Sequence, residues 1–577
     1  MYLLSIIPIA RGIPADFLSY WSPEKAELGA IVKIPLRKKE IFGIVLTCQS
    51  AEKARAEIRG AGFAYKKIES QKARKILPSP LMEILPTLAD YFATSPGSML
   101  SALVPKAILE SHSELDEAPV FSANKLPREI LALQKNEEDR MSHYKSIIRE
   151  RLARSSSTLF ILPSAEEIEH IKMFLTKGIE DRTVVIHNKK TKKEIIVLWN
   201  TIARSTQPLL IIATAGFVSL PRNDISLIIV DEESSRSYKT IARPFADMRT
   251  LIEIYAKKIG ADVLFGDMCM RPETFLRIQN HEIREYVPSS MRSLSTAKET
   301  VVDMKKIQKE KPQFSVLSDE LVALIRRNKE NNEHLFIYAT RKGLAGNTVC
   351  QDCGTALTCD RCSAALTLYK KGDERIFICN KCSKRFPTDT VCLACGSWRL
   401  MPLGIGTERV EEEIKQKMPG VKIFRLDKTS ATTPLRAKKI LTQWMENPGS
   451  VLVGTEFALS YIHNSIEAAA VASLDSLFAL PDFRINERVF SLILKLRVLA
   501  EKNLLIQSRF PEQKAIQYGM KGNIGDFLRD ELELREKISF PPFSTFIKVS
   551  FEGNRLDAEK AIGHIRTIAG SRRVEIF

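Results

Sequence analysis

The sequence predicts a multidomain α/β protein with two doubly wound parallel-sheet units and a metal-binding insertion. Three observations lead to this prediction: a length of 577 residues, short apolar runs that alternate with helical patterning, and eight cysteines between Cys350 and Cys395. At roughly 100–200 residues per domain, the length alone indicates several domains. Apolar residues make up 44% and charged residues 27% of the chain, an ordinary globular mixture.

The charge balance favours a polyanionic partner. Lysine and arginine number 86 against 69 acidic residues, which gives a formal net charge of +17. Nucleic acid is the commonest partner of so basic a surface, and the alternative is a basic surface that binds nothing.

The sequence shows neither a membrane-spanning segment nor an export signal. The apolar start, Met1–Ala10, lacks the basic residues and small-residue cleavage site of a signal peptide and is more typical of a strand. No run reaches the roughly 18 apolar residues of a membrane-spanning helix. We therefore expect a cytoplasmic protein with no membrane partner, in which clustered Cys-x-x-Cys pairs bind metal rather than form disulfides.

Residues 1–108 are predicted to form a β-rich domain that ends in helices, and the polar, aperiodic residues 109–128 a linker. The strands of this domain are predicted at Leu3–Ile9, Ala30–Pro35 and Phe42–Thr47, with a helix at Leu81–Phe92.

Two α/β units follow, at 129–298 and 299–525. The buried parallel strands of the first are predicted at Leu159–Pro163, Leu209–Thr214, Leu227–Asp231 and Val263–Gly266. Those of the second are predicted at Leu335–Tyr338, Val421–Arg425, Ser450–Gly454, Ala469–Leu474 and Leu504–Ser508. A short α/β tail, 526–577, is predicted as a strand, a helix and a strand, at Phe546–Phe551, Leu556–Ile568 and Arg573–Ile576.

The cysteine block, inserted at 346–400, predicts two metal ions. Each Cys-x-x-Cys turn places two thiolates on one side of a tight loop, and two turns close a tetrahedron. The turns are Cys350/Cys353, Cys359/Cys362, Cys379/Cys382 and Cys392/Cys395. All-thiolate ligation selects zinc or iron–sulfur, and the polar turn residues favour two zinc ions. Spacing leaves open which turns share a metal, because four turns can pair in three ways.

Several further stretches, spread over nearly the whole chain, form one ordered pattern: Ile229–Glu233, Ser237–Lys239, Gly404–Glu412, Phe424–Asp427, Val453–Glu456, Leu480–Arg484 and Phe540–Phe543. In this order they resemble the PriA family of superfamily-2 primosomal helicases. The resemblance implies two RecA-like helicase lobes behind an N-terminal domain that binds DNA 3′ ends. It also implies nested zinc sites, one held by Cys350, Cys353, Cys392 and Cys395 and the other by Cys359, Cys362, Cys379 and Cys382.

The phosphate-binding loop of such a helicase is missing. A nucleotide site needs glycines whose backbone N–H groups approach the phosphates, with a lysine and a Ser/Thr. The chain has no Gly-Lys dipeptide, and the expected loop at 134–141 reads QKNEEDRM. Arg140 and Met141 stand where the lysine and Ser/Thr belong.

Other ATPase segments are altered as well. The family's SATPS segment reads DMCMR at 267–271, and its two finger arginines are Leu499 and Lys502. Asp231 and Glu232 remain as a vestigial acidic pair, which we interpret as a retained strand end with a solvated acidic cap. We therefore predict no catalytic residues and no binding of ATP or Mg²⁺.

Two features of the family's DNA-binding parts are also changed. The linker at 109–128 is too short for the family's winged helix, and Leu18 and Ser19 fall where the 3′-end pocket has its acidic side chain. Tyr20 could stack on a base or lie in the core, and Trp398 could stack on a base or pack against the metal core.

We therefore expect a replication-restart primosomal protein that binds forked or single-stranded DNA at stalled forks. It would promote reloading of the replicative helicase, together with other primosome and helicase-loading proteins, without ATPase activity of its own. The alternatives are an active ATP-dependent 3′–5′ DNA helicase with an unrecognised nucleotide loop, and a basic zinc adaptor that binds nucleic acid.

Overall fold

The computed structural model falls into two compact units, Met1–Ser290 and Met291–Phe577, which are described separately. The residues that the structure describes are 1–13, 15–50, 52–53, 65–68, 74–121, 128–310, 315–340, 347–350, 352, 355, 357–360, 366–371, 374–379, 384–387, 389–403, 406–478, 482–547, 549 and 554–570.

The first unit opens with a five-stranded sheet in the order β3-β4-β1-β2-β5. Its strands are β1 Tyr2–Pro8, β2 Leu18–Ser22, β3 Ile31–Leu36, β4 Lys39–Ser50 and β5 Lys66–Lys67. The first four pair antiparallel, and β5 pairs with β2 in parallel. Alternating apolar residues of these strands face a small core that includes Ile6, Ile34 and Val45. The three predicted strands are confirmed.

Three helices join this sheet to the rest of the unit: α1 Ser79–Tyr91, α2 Pro96–Leu103 and α3 Lys106–Glu110. Leu85 and Leu100 on these helices belong to the same hydrophobic cluster as Phe217 and Tyr255 further along the chain. The N-terminal region therefore shares a core with the α/β sheet of this unit.

The segment that follows α3, predicted as part of a linker, is held in place as far as residue 121. Leu115 is fully buried in the shared core. The Asp116 carboxylate accepts two hydrogen bonds from Arg204, at 2.6 and 3.1 Å, and the Asp116 carbonyl accepts one from the Trp199 indole at 3.3 Å.

A seven-stranded, all-parallel sheet forms the centre of the first unit, in the order β12-β6-β11-β10-β7-β9-β8. Its strands are β6 Ile130–Gln134, β7 Ser157–Leu162, β8 Thr183–Ile186, β9 Leu210–Thr214, β10 Ile225–Asp231, β11 Asp262–Asp267 and β12 Arg284–Glu285. Its helices are α4 Glu137–Ala153, α5 Ala165–Leu175, α6 Lys192–Arg204, α7 Met248–Ile259 and α8 Pro272–Gln279. Every residue of β7, β9 and β11 is buried, as expected of a parallel sheet covered on both faces. The four predicted strands are confirmed, whereas β6, β8 and β12 were not predicted.

The second unit contains a six-stranded parallel sheet in the order β13-β23-β22-β14-β21-β20. Its strands are β13 Lys298–Asp303, β14 Leu335–Tyr338, β20 Ile423–Leu426, β21 Val451–Gly454, β22 Ile466–Val471 and β23 Ala500–Ser508. Its helices are α9 Met304–Glu310, α10 Asp319–Glu330, α11 Thr407–Lys417, α12 Pro434–Met445, α13 Glu456–Leu459, α14 Asp475–Phe478, α15 Ile485–Leu499, α16 Lys514–Met520 and α17 Ile524–Lys537. The five predicted strands are confirmed, and β13 was not predicted.

The cysteine insertion lies between β14 and α11 and forms two small antiparallel sheets. One pairs β15 Asn347–Cys350 with β19 Leu400–Leu403, and the other joins β16 Leu366–Lys371, β17 Glu374–Cys379 and β18 Arg385–Phe386.

At the C-terminal end, α18 Arg555–Ala569 confirms the predicted helix. Of the flanking predictions, residues 573–576 lie outside the described residues, and the described part of 546–551 carries no strand. Within the described ranges, no helix combines the length and the apolar character needed to cross a membrane.

Candidate functional site

Three polar strand ends lie side by side at the carboxyl edge of the first unit's sheet. The register pairs Gln134 of β6 with Asp267 of β11, and Gly266 of β11 with Asp231 of β10. This edge is where open α/β sheets bind their ligands. It is also the edge at which the family resemblance places the nucleotide.

The connection from β6 to α4 contains only Lys135 and Asn136, so the prediction of a loop over 134–141 is wrong for Gln134, which ends β6, and for residues 137–141. Residues 137–141 are the first turn of α4. The Asn136 side chain caps this helix by accepting a hydrogen bond from the Asp139 backbone N–H at 2.8 Å. Glu137, Glu138 and Asp139 add three negative charges to the same turn. The helix end that would hold phosphate is therefore already capped by the chain's own polar groups.

Asp231 is buried and paired, so the interpretation of a solvated acidic cap is wrong for this residue. The Arg140 Nε lies 2.9 Å from Asp231 Oδ1, and the two side chains are only 5% and 1% exposed. Arg140 Nη2 reaches the second carboxylate oxygen at 3.4 Å, and the Tyr144 hydroxyl donates to Oδ1 at 2.8 Å. A carboxylate in this apolar surrounding needs such partners, because an unpaired buried charge is very costly.

Gly266 makes room for the tyrosine. A Cβ at this position would lie 1.5 Å from the Tyr144 hydroxyl and 2.9 Å from Asp231 Oδ1. Only a residue without a side chain lets the hydroxyl reach the carboxylate across β11.

Burial and pairing shift the pKa values of these groups in defined directions. Burial raises the pKa of Asp231, although the Arg140 guanidinium pulls it down. Burial alone would lower the pKa of Arg140, but Asp231, Tyr144 and Asp267 together raise it. Burial also raises the pKa of Asp267 to about 6, with Arg140 opposing the shift. The guanidinium is thus the main positive charge facing two buried carboxyl groups.

A second arginine pairs with the next acid. The Arg271 Nε lies 2.5 Å from Glu233 Oε1, and the Thr274 hydroxyl donates to the same oxygen at 2.7 Å. Glu233 is fully buried. The altered segment 267–271 is therefore attached directly to the end of β10.

Arg140 and residues 267–271 are recognisable in the sequence as departures from the family pattern, but their pairing with the buried acids was not predicted. The sequence feature that could have predicted this pairing is the acid at the end of an otherwise apolar run, Leu227–Asp231. A carboxylate that is buried with such a strand needs a cation beside it.

The residues of the second unit that align with the family's arginine finger are also held in contacts within the fold. Arg497 is 6% exposed and donates to the carbonyls of Met520 and Ser293 and to the Glu299 carboxylate. Leu499 is buried, and Lys502 pairs with Glu333 at 2.7 Å.

The cysteine insertion brings three thiols together. The Sγ atoms of Cys350, Cys392 and Cys395 lie within 4.8 Å of one another, and Cys350 and Cys395 are 3.5 Å apart. A tetrahedron with Zn–S bonds of about 2.3 Å has S–S edges of about 3.8 Å, so this cluster has the right size for zinc. The β15–β19 pairing places Cys350 opposite Leu400, which follows Cys392 and Cys395 closely in the sequence.

The remaining cysteines are only partly described. Cys359 and Cys379 are buried in the small core of the insertion. Cys353, Cys362 and Cys382, predicted as zinc ligands, lie outside the described residues.

The two aromatic candidates for base stacking differ in exposure. Tyr20 is 4% exposed and donates its hydroxyl to the Pro35 carbonyl at 3.1 Å, so it is a core residue and the stacking interpretation is wrong. Trp398 is 70% exposed, so packing against the metal core is the wrong alternative there. Leu18 and Ser19 lie on β2, opposite Ile6 and Ser5.

The structure is that of a multidomain α/β protein with two parallel-sheet lobes, a β-rich N-terminal domain and a cysteine-rich insertion. A family model described as the 3′ DNA-binding domain (3′BD) of PriA matches residues 6–105. The replication restart protein PriA of Rickettsia conorii is 25% identical over 586 residues, covering 95% of this chain and 87% of that protein. That of Borreliella burgdorferi is 26% identical over 420 residues, covering 71% of this chain but only 62% of that protein. Over most of its length the chain is thus similar to replication restart proteins PriA, and its residues 6–105 match the 3′ DNA-binding domain of that family.

Solved helicase structures match more distantly. RecG bound to a three-way DNA junction gives a TM-score of 0.40 at 10% identity, covering 83% of this chain and 52% of that chain. The NS3-like helicase of Alongshan virus gives 0.35 at 9% identity, covering 76% and 97%. Scores this low carry no weight, and the two lobes are described from their own strand order.

Proposed function

We propose that this chain acts in replication restart by binding forked or single-stranded DNA and promoting reloading of the replicative helicase, without hydrolysing ATP itself. Its partners on this proposal are other primosome and helicase-loading proteins. The domain division is that of the sequence prediction: 1–108, 109–128, 129–298, 299–525 with its insertion at 346–400, and 526–577.

The observation that carries this proposal is the buried ion pair between Arg140 and Asp231. It occurs in a chain that aligns with a replication restart protein over 95% of its length. In a phosphate-transferring enzyme, an acid at this strand end holds Mg²⁺ and the loop before the helix cradles the phosphates. Here both Asp231 oxygens face Arg140, and Asn136 caps the helix. The nucleotide-binding chemistry is removed, while the DNA-binding domain at 6–105 is retained.

The cofactors that we propose are two zinc ions held by the eight cysteines of the nested arrangement. The three clustered thiols of Cys350, Cys392 and Cys395 support the outer site. A closed Cys₄ site leaves no open position for substrate, so the zinc would stabilise the insertion rather than catalyse.

The DNA contacts that we propose combine charge with one exposed aromatic side chain. Trp398 lies beside Arg399, and the exposed Lys384 and Arg385 belong to the same insertion. Lysine and arginine release counterions when they contact phosphates, and an exposed indole stacks on any base.

The test is fluorescence anisotropy with three labelled substrates: a fork, a blunt duplex of the same length, and single-stranded RNA. We expect the fork to bind more tightly than the duplex and the RNA at low salt, with the same affinity in the presence and absence of ATP. Equal binding to all three would favour the adaptor function. A fork affinity that changes with ATP would contradict the nucleotide-independent part of the proposal.

A further inference from the structure

Each buried acid at the end of β10 is neutralised by an arginine from another segment. Asp231 faces Arg140 of α4, and Glu233 faces Arg271, which precedes α8. The Arg140 guanidinium also donates to the Lys135 carbonyl at 2.9 Å. Arg140 therefore connects the β6–α4 junction to the end of β10.

The surroundings of Arg140 resemble those of a hard cation. Asp231 and Asp267 are both buried and both act electrostatically on the guanidinium. Carboxylate and neutral oxygens at such a strand end are the ligands that Mg²⁺ and Mn²⁺ prefer. A guanidinium carries a permanent positive charge and donates hydrogen bonds to carboxylate oxygens, the same atoms that such a metal would bind.

We propose that Arg140 is a built-in cation whose guanidinium occupies the place at the end of β10 that a divalent metal ion would take in its absence. The first unit would therefore keep the arrangement of its strand ends without metal or nucleotide. This inference rests on the nucleotide-independent function proposed above. It supplies the physical reason why that function would need no nucleotide. A charge that is covalently attached cannot dissociate, so the arrangement does not depend on metal concentration.

The position of Tyr144 supports the same inference. Its hydroxyl fills the space above Gly266 and donates to the Asp231 oxygen that also faces Arg140 Nε. Two donors on one oxygen leave little room for a metal while Arg140 is present.

The experiment compares Mn²⁺ binding, measured by electron paramagnetic resonance, between the wild type and Arg140→Ala. The full-length protein is used, and Mn²⁺ serves as a probe because all-thiolate sites select soft metals. We expect no saturable Mn²⁺ site in the wild type, one site in Arg140→Ala, and none in Arg140→Ala/Asp231→Asn. Methylguanidinium should compete with Mn²⁺ for this site.

The matched control is Arg151→Ala. Arg151 lies on the same helix and pairs with Asp262 at 2.8 Å, at the opposite end of the sheet. Its loss should create no Mn²⁺ site, because a single partly solvated carboxylate remains.

Thermal unfolding covers the case in which Arg140→Ala is poorly folded. We expect Mn²⁺ or methylguanidinium to raise its melting temperature by about 3 °C or more and to leave that of the wild type unchanged. If neither ion binds to or restores Arg140→Ala, or if the wild type binds Mn²⁺ in a way that Asp231→Asn abolishes, the built-in cation is refuted. The first of these results would leave the fork-binding proposal untouched, because DNA affinity is measured separately.

Discussion

Replacing Arg140 with methionine should strongly destabilise the first unit. The substitution keeps most of the side-chain volume but leaves Asp231, whose side chain is 1% exposed, without its cation. Breaking a buried pair by removing one partner costs about 3–5 kcal/mol, because the remaining charge is uncompensated. Tyr144 still donates to the carboxylate, which places the expected loss near the lower end, at about 3 kcal/mol.

A double-mutant cycle separates the charge from the packing. Arg140→Met/Asp231→Asn removes both charges, and we expect it to recover at least about half of the loss, since a neutral amide is far cheaper to bury than a carboxylate. Arg151→Met is the matched control. Its pair with Asp262 is 15% and 11% exposed, so its loss should be smaller.

Amide hydrogen exchange with mass spectrometry is the appropriate measurement, because a two-unit chain does not unfold in one step. Peptides covering β10 report on the first unit, and peptides covering β21 serve as an internal reference in the second. A loss of 3 kcal/mol corresponds to exchange about 100-fold faster in β10. Unchanged exchange in β10 of Arg140→Met would show that the pair does not stabilise the sheet, and would refute the reasoning.

Three further predictions concern pH, metal and DNA. Burial raises the pKa of Asp267 to about 6, so the folded state binds the proton of this carboxyl group more tightly than the unfolded chain does. The resulting stabilisation is present below about pH 4 and is lost as the pH rises through 6. The stability of the wild type relative to Asp267→Asn should therefore fall by about 2–3 kcal/mol between pH 4 and 6.5, and a pH-independent difference would contradict the shift. Chelation should remove two zinc ions and speed amide hydrogen exchange in residues 346–400, while exchange in β10 and β21 stays unchanged. Release of one zinc ion or none from fresh protein would contradict the two Cys₄ sites. Trp398→Ala should weaken fork binding about 5-fold or more without changing the zinc content, because base stacking on an aromatic ring contributes about 1–3 kcal/mol, whereas unchanged affinity would exclude a stacking role.

The sequence was most informative where the chain is buried on both sides. The strands β7, β9, β10 and β11 are continuous apolar runs, which a doubly covered parallel sheet requires, and all four were predicted. The edge strand β13, KETVVD, mixes exposed and buried positions and has no such signature, so it was missed. β6 was missed because its five residues run directly into the segment assigned to a nucleotide loop.

The candidate site was predictable in composition but not in contacts. The absence of phosphate-binding glycines is visible in the sequence, whereas the pairing of Arg140 with Asp231 joins residues 91 positions apart. The loop prediction failed because it carried the family's geometry onto residues that favour an Asn-capped helix. Cysteine spacing left three pairings open, and the structure groups the thiols of Cys350, Cys392 and Cys395.

On the proposed function, fork binding is separated from ATP chemistry in this chain. The most direct measurement is steady-state ATP hydrolysis at saturating forked DNA, with fork binding verified by anisotropy in the same samples. We expect a fully bound fork and no turnover above the buffer background. Turnover that forked DNA stimulates and that Asp231→Asn abolishes would show that Asp231 still serves a nucleotide and that the chain does hydrolyse ATP.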